Sequence, residues 1–251
     1  MKRLALAVLL TAATALPAAA FDPAAMSEQE REAFGQAVRE YLMANPEVLI
    51  ESINVLEERR AADESKDDRL LVQHFQDELL EDGHSWVGGN PSGDLTMVEF
   101  VDYRCGVCRQ VFASVEDLVK SDGNIRIIYK DLPILGQDSD TAARFAIAVK
   151  QTAGDEAYKK AHDKLMTMRG NVTLDALSKL AAEIGVDPKP VIDAMNTEAV
   201  TAVIRANLQL AEKMKIAGTP TFVVGPELLR GVPHGGLEPV VEAVRKGAKA
   251  G

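Results

Sequence analysis

Two closely spaced cysteines constrain this chain more than any other feature of its sequence. Cys105 and Cys108 are the only cysteines among 251 residues. The apolar run at residues 95–103 precedes them and predicts a β-strand that is buried on both faces. Apolar residues at helical spacing follow them and predict a helix that ends near Ser121. The pair therefore stands where a strand gives way to a helix.

A cysteine at the start of a helix has unusual acid–base chemistry. Its sulfur lies near unpaired amide N–H groups and the positive end of the helix dipole, and both stabilise the thiolate. Such cysteines have pKa values of roughly 3.5 to 7.5 instead of about 8.5. Because Cys108 follows Cys105 by one helical turn, the two sulfurs can close a disulfide. We expect Cys105 to be the exposed nucleophile and Cys108 the more buried resolving thiol.

Three other uses of the cysteine pair compete with redox exchange. A structural disulfide over four residues would stabilise little, since the contribution of loop closure grows with loop length. A zinc site needs two more ligands, and the four histidines are dispersed without ligand spacing. Copper(I) accepts two thiolates, and this alternative stays open. The order strand, Cys-x-x-Cys, helix favours redox exchange.

Two further positions suit a redox site. Glu99 falls inside the predicted strand, where a buried carboxyl has a raised pKa, and we expect it to exchange a proton with Cys108. An acid that reaches water from a strand edge is the alternative. Thr219 and Pro220 open the apolar run at 221–224, and a proline there predicts a turn or a cis bond. A cis bond would expose the Thr219 backbone to an extended substrate, whereas an ordinary proline leading a strand would not.

The remaining pattern of the second half is mixed α/β. Residues 125–129 form a second apolar run, so strand, helix and strand predict a right-handed crossover with a parallel pair. The segment at 88–94 is rich in turn residues. Residues 139–214 carry almost only helical patterns, with Thr173 as a helix cap.

The first 20 residues have the features of a secretion signal. Lys2 and Arg3 precede an apolar run, and small residues at 18–20 suit a signal peptidase that cuts before Phe21. An uncleaved membrane anchor is the alternative, but the run is short for a span of about 20 residues. We expect export to an oxidising compartment such as the periplasm, where a disulfide can persist.

Residues 21–82 are predicted to form a separate helical segment before a domain at 83–251. Asn45 and Pro46 break the helical pattern, and the polar run at 57–69 is either exposed helix or linker. A narrow apolar stripe cannot stabilise an isolated helix, so it packs either on the following domain or on other copies of the chain. The stripe comprises Phe34, Val38, Tyr41, Leu42, Leu49, Ile53, Leu56, Leu71, Phe75 and Leu79.

The net negative charge of the chain makes binding of nucleic acid unfavourable. Thirty-eight acidic residues stand against 28 basic ones, for a formal net charge of −10. A polyanion would be repelled instead of releasing counterions to basic side chains.

The two motifs together resemble one family. Glu99-Phe-Val-Asp-Tyr-Arg-Cys-Gly-Val-Cys108 and Gly218-Thr-Pro-Thr-Phe-Val-Val-Gly225 are similar to the DsbA-like branch of the thioredoxin superfamily, over about residues 85–246. The resemblance implies an α/β thioredoxin fold with an inserted helical domain at about 139–214 and a cis-proline loop facing the cysteines. It also implies an exported thiol-disulfide oxidoreductase that needs no cofactor besides its own disulfide. The implied catalytic residues are Cys105, Cys108 and Glu99, and the implied substrate contacts are Gly106, Val107, Thr219 and Pro220.

The N-terminal helices resemble those of ScsC-type proteins, named for suppression of copper sensitivity, and more loosely Com1-like surface proteins. Some ScsC-type members are trimers joined by these helices and act as disulfide isomerases. The resemblance thus implies a homo-oligomer, a trimer in those relatives, with unfolded or misoxidised exported proteins as clients and a membrane redox partner.

Two positions inside the motifs bear on the direction of the reaction. Gly106 and Val107 stand where the strongest oxidants of the family carry Pro-His, and Thr219 is shared with isomerase-type relatives. The resemblance therefore favours a disulfide isomerase. A dithiol oxidase and a copper(I)-binding protein that uses Cys105 and Cys108 are the alternatives.

Overall fold

The computed structural model describes residues 26–248, so the predicted secretion signal and its cleavage site lie outside the described residues. No helix of this described range is long and apolar enough to cross a membrane. Its elements are α1 (Glu28–Ala44), α2 (Glu47–His74), α3 (Gln76–Leu80), β1 (Trp86–Gly89), β2 (Leu95–Val101), α4 (Gly106–Asp122), β3 (Ile125–Asp131), α5 (Gln137–Ala153), α6 (Asp155–Thr167), α7 (Leu174–Glu183), α8 (Pro188–Ala194), α9 (Glu198–Lys213), β4 (Thr221–Val224), β5 (Glu227–Arg230) and α10 (Glu238–Ala248).

Contacts divide the chain into two compact units, the first ending at Arg59. Its described part contains α1 and the first half of α2. A capping box begins α1, since the Ser27 side chain accepts from the Glu30 N–H and the Glu30 carboxylate accepts from the Ser27 N–H. The expected break follows at Asn45, whose side-chain amide donates to the Tyr41 carbonyl oxygen at 2.9 Å.

The first unit presents much of its apolar stripe to solvent. Helix α1 contains no buried residue. Tyr41 is 60% exposed and Ile53 is 50% exposed, fractions far above those of a folded core. The polar run at 57–69 is exposed helix and not a linker, because α2 continues through it without interruption.

The second unit is built on a five-stranded sheet with the order β1-β3-β2-β4-β5. β2 and β3 are parallel and joined through α4, which confirms the predicted strand–helix–strand unit with a parallel pair. The other neighbouring pairs are antiparallel. The sequence pattern predicts turns over residues 88–94, but Gly88 and Gly89 belong to β1. Residues 86–89 pair with β3, and the Trp86 ring stacks on Tyr129 at 5.2 Å between centroids.

Both faces of the sheet are buried. On one face Met97 and Val101 of β2 pack with residues of α4 and of the helical insertion. On the other face Val98 packs in a cluster with Val72 of α2 and Leu79 of α3. The last part of the predicted N-terminal segment at 21–82 therefore belongs to the core of the second unit. The division between the two units falls at Arg59, whereas the sequence pattern predicts it after residue 82.

Five helices, α5 to α9, are inserted between β3 and β4. This agrees with the helical insertion expected at about 139–214. Thr173 caps α7 as predicted, since its hydroxyl accepts from the Ala176 N–H at 3.2 Å. The α/β thioredoxin fold with an inserted helical domain is confirmed.

Candidate active site

The two cysteines occupy the start of α4. Cys105 is the N-cap residue, and its sulfur accepts from the Cys108 N–H at 3.4 Å. Both carry free thiols. Cys108 is fully buried, whereas Cys105 retains 6% exposure. The order of burial is as predicted, but Cys105 is less exposed than a freely accessible nucleophile because it lies against the loop before β4.

The two thiols have opposite acid–base properties. Burial raises the pKa of Cys105, but hydrogen bonding, chiefly from the Cys108 backbone N–H, outweighs it, and the net pKa lies below the usual value. For Cys108, burial dominates and raises the pKa well above its usual value. Cys105 is therefore the thiol that ionises readily, and Cys108 needs a base close by before it can react.

The loop before β4 supplies the opposite wall of the site. The Thr219–Pro220 peptide bond is cis, as the resemblance implies, whereas the residues alone leave a turn or an ordinary proline open. β4 pairs with β2 so that Thr221 stands opposite Phe100, which brings the loop to the end of β2 where the cysteines begin. There the Cys105 thiol donates to the Thr219 carbonyl oxygen at 3.1 Å.

Glu99 lies beneath the cysteines in a central strand. Its side chain leaves β2 on the same face as those of Met97 and Val101, which share one cluster with Cys108. Glu99 is 3% exposed, and its Oε1 has no hydrogen-bond partner among the described residues. Burial, followed by the charges of Glu116 and Cys105, raises its pKa to about 8. The alternative of a strand-edge acid is wrong, because β2 has a neighbour on each side.

Gly106 and Val107 form the exposed rim of the site. Val107 is 47% exposed, and a side chain added at Gly106 would meet no described atom within 4 Å. Both residues therefore lie at the surface beside Cys105, where the resemblance places substrate contacts.

A residue that the sequence analysis missed joins this rim to the sheet. The buried carboxylate of Asp102 accepts from the N–H groups of Arg104 at 2.8 Å, Ile134 at 2.9 Å and Leu135 at 3.2 Å. It therefore holds the turn before Cys105 against the loop between β3 and α5. An aspartate just before a helix-capping residue is a turn signal that could have identified it.

Two arginines beside the cysteines hold the helical insertion at the site. Arg104 Nη1 donates to the Gly170 carbonyl oxygen at 3.0 Å. Arg109 Nε donates to the Met166 carbonyl oxygen at 2.8 Å, and its Nη2 donates to that of Met168. These bonds fix the connection between α6 and α7 beside the active-site helix.

Metal binding is supported only weakly by the side chains. Within residues 26–248 the single cluster of three or more acidic, histidine or cysteine ligands is Glu116, His162 and Asp163. The Lys159 ammonium group already lies 3.0 Å from the Glu116 carboxylate and 2.6 Å from that of Asp163, so it supplies the positive charge there. Copper(I) would have to use the two thiolates of Cys105 and Cys108.

Comparison with known families agrees with this geometry. Residues 96–236 match the DSBA-like thioredoxin domain, and residues 30–63 match the copper resistance protein ScsC N-terminal domain. The chain belongs to the DsbA-like thioredoxin family. It combines that domain with an ScsC-type N-terminal segment, which confirms the expected resemblance, and its family is one of thiol-disulfide oxidoreductases.

The similarity to solved structures extends over most of the chain. A thioredoxin-like oxidoreductase from Silicibacter pomeroyi DSS-3 is 39% identical, with 70% of this chain and 98% of that one covered and a TM-score of 0.63. BcfH from Salmonella enterica Typhimurium is 26% identical, with 87% and 96% covered and a TM-score of 0.70.

Among curated proteins, the thiol:disulfide interchange protein DsbA of Burkholderia cepacia is 26% identical over 155 residues, 57% of this chain and 71% of that protein. Other curated relatives are Na(+)/H(+) antiporters, and this chain spans about a fifth of the length of the one from Salinispora arenicola, at 21%.

Proposed function

We propose that this protein is an exported, oligomeric disulfide isomerase that acts on unfolded or misoxidised client proteins. The observation that carries the proposal is the contact between the Cys105 thiol and the Thr219 carbonyl oxygen beside a cis-proline. It joins an ionisable sulfur to a backbone edge with which an extended client segment can pair.

The first step is attack on a client disulfide. The Cys105 thiolate bonds to one client sulfur, and the other client sulfur leaves as a thiolate. The lowered pKa of Cys105 increases the fraction of this residue that is present as the attacking thiolate. A client thiolate can then attack the mixed disulfide, which releases Cys105 and leaves a rearranged client with no net change in oxidation state.

A second route resolves a mixed disulfide that stalls. Glu99 takes the proton of Cys108, whose thiolate attacks Cys105 and expels the client as a thiolate. The client is then reduced by two electrons, and a Cys105–Cys108 disulfide remains. A membrane reductase that restores the dithiol is the partner this route requires. As an oxidase, the protein would run the same bonds in reverse, with a client thiolate attacking the Cys105–Cys108 disulfide.

Oligomerisation is part of the proposal. Tyr41 and Ile53 expose apolar surface on the first unit, and residues 30–63 match an ScsC-type N-terminal domain. Exposed apolar stripes of this kind are buried efficiently against further copies of the same helices. Several active sites in one assembly would raise the effective concentration of thiols around a single unfolded chain.

The decisive experiment is the refolding of a scrambled, fully oxidised protein in a glutathione buffer. We expect recovery with wild type, none with Cys105→Ala, and reduced recovery with the double variant Tyr41→Asp/Ile53→Asp. Failure of wild type to rearrange the scrambled client, together with rapid oxidation of a reduced client, would reassign the protein as a dithiol oxidase. If the protein is inactive in both assays and its two thiolates bind copper(I) tightly, the result would favour the alternative of a copper(I)-binding protein.

A further inference from the structure

A row of polar contacts runs to the protein surface from Tyr129, the residue beside the buried Glu99 in the sheet. Glu99 and Tyr129 are register partners in the parallel strands β2 and β3, so their side chains leave neighbouring strands on the same face. The Tyr129 hydroxyl donates to Glu116 Oε1 at 2.6 Å. Lys159 Nζ lies 3.0 Å from Glu116 Oε2, and both of these side chains reach solvent in part.

These contacts join β3, α4 and α6. Glu116 lies on α4, two turns beyond Cys108, and Lys159 lies on α6 of the helical insertion. Glu116 is thus an acidic group on the helix that carries both cysteines, close enough for its charge to act on Glu99. Lys159 is its counter-charge.

We propose that Glu116 and Lys159 are positioning residues whose opposite charges set the protonation of Glu99 and hence the pH range in which Cys108 can resolve a mixed disulfide. The inference rests on the proposed role of Glu99 as the base for Cys108. It adds a pair of surface-reaching charges of opposite sign that tune this base in opposite directions.

Tyr129 and Tyr158 interact with the charge of Glu99, and the His162 ring stacks on Tyr129 at 4.2 Å between centroids; all three groups are neutral near pH 7. Burial raises the pKa of Tyr129 on β3 and of Tyr158 on α6, and it lowers the pKa of His162 on α6 to about 3. The register partner on β4 is Phe222, which does not titrate.

Three more groups that act on Glu99 or on the side chains beside it are further charges or competing acids. Asp163 shares Lys159 with Glu116, and the charge of Cys105, when it is ionised, acts on Glu99. Asp131 on β3 is buried, and burial raises its pKa to about 7, so it titrates close to the range of Glu99. Infrared difference spectra against Asp131→Asn therefore separate the two carboxyl groups.

Removing either charge gives predictions of opposite sign. Glu116→Gln removes a negative charge, so ionised Glu99 becomes less unfavourable and its titration moves to lower pH. Lys159→Met leaves Glu116 and Asp163 without their counter-charge, so the titration of Glu99 moves to higher pH. We expect shifts of about 0.5 to 1 pH unit in each direction.

The titration of Glu99 is measured directly by infrared spectroscopy of the full-length reduced protein. The carboxylic acid carbonyl band that is absent from Glu99→Gln is followed as a function of pH in wild type and in each variant. In parallel, the pH profile of single-turnover reduction of a peptide disulfide is recorded. Matched controls are Asp117→Asn and Lys160→Met, which make the same charge changes one residue further along the same helices at exposed side chains.

The outcomes separate this inference from the proposed function. Opposite shifts for Glu116→Gln and Lys159→Met, with unmoved controls and a wild-type profile in Lys159→Arg, support it. Shifts of one sign, no shifts, or equal shifts in the controls overturn it. If the band shifts as expected but wild type exchanges no disulfide, the proposed function fails while the coupling stands. Lys159→Met and Lys159→Arg keep the test decisive if Glu116→Gln does not fold.

Discussion

Replacing Glu99 by glutamine is expected to stabilise the folded protein, by an amount that grows with pH. The pKa of Glu99 is raised from 4.5 to about 8 by burial and by the neighbouring charges. Between these pH values the unfolded chain has released a proton that the folded protein retains. The stability of wild type therefore falls as pH rises through this window, whereas Gln does not ionise.

The size of the effect follows from the width of the window. One pKa unit corresponds to about 1.4 kcal/mol, so each pH unit inside the window costs wild type about that much free energy of unfolding. Relative to wild type, Glu99→Gln should be roughly 3 to 4 kcal/mol more stable at pH 8 than at pH 5. The burial of the glutamine amide adds an offset that does not depend on pH.

Urea unfolding of the reduced protein, followed by fluorescence of the single tryptophan, Trp86, measures this difference. Glu156→Gln, an exposed glutamate on α6, is the matched control and should remain parallel to wild type at every pH. A gain for Glu99→Gln that is equal at acidic and alkaline pH would show that Glu99 is not a buried carboxyl with a raised pKa.

Three further substitutions test other parts of the structure. Cys108→Ser should trap a mixed disulfide between Cys105 and a client, detected as an added mass that reducing agent removes; a free Cys105 throughout turnover would contradict the assigned roles. Asp102→Asn can no longer accept from N–H groups on both sides and should lose about 1 to 3 kcal/mol in urea unfolding, whereas exposed Asp117→Asn should lose almost nothing. Leu79→Ala removes a side chain that is 1% exposed and should cost about 2 to 5 kcal/mol by the same measurement; a loss below about 0.5 kcal/mol would remove α3 from the core.

The parts of the site that depend on local chemistry could be predicted from the sequence. Cys105 follows a buried strand and caps a helix, and that junction alone predicts a sulfur near free amide groups. Proline at position 220 cannot donate to a sheet, so the special backbone before β4 is also a local property. The central place of Glu99 agrees with its position in an apolar run, although only the strand order excludes an edge.

The parts that depend on pairing between distant segments could not be predicted. β1 contains two glycines and becomes a strand because β3 offers a partner and Trp86 stacks on Tyr129. Asp102 looks like an ordinary turn residue until the loop carrying Ile134 is brought to it. For the stripe that contains Leu79, the sequence leaves open whether it packs on the following domain or on other copies, and only the fold places Leu79 in the sheet core. In each case the partner is more than 30 residues away or on another element.

The continuity of α2 across the two units has a consequence for modular exchange. The sequence pattern predicts a domain boundary after residue 82. A domain transplanted from that point would lack Val72 and Leu79 and would expose the sheet face that they cover. A junction near Arg59, where the division between the two units falls, would keep Val72 and Leu79 with the sheet that they cover. A fusion at that point needs a helix-forming sequence on both sides of the junction, because α2 continues through it. The N-terminal segment is therefore more readily inherited together with the second unit than acquired by fusion at a loop.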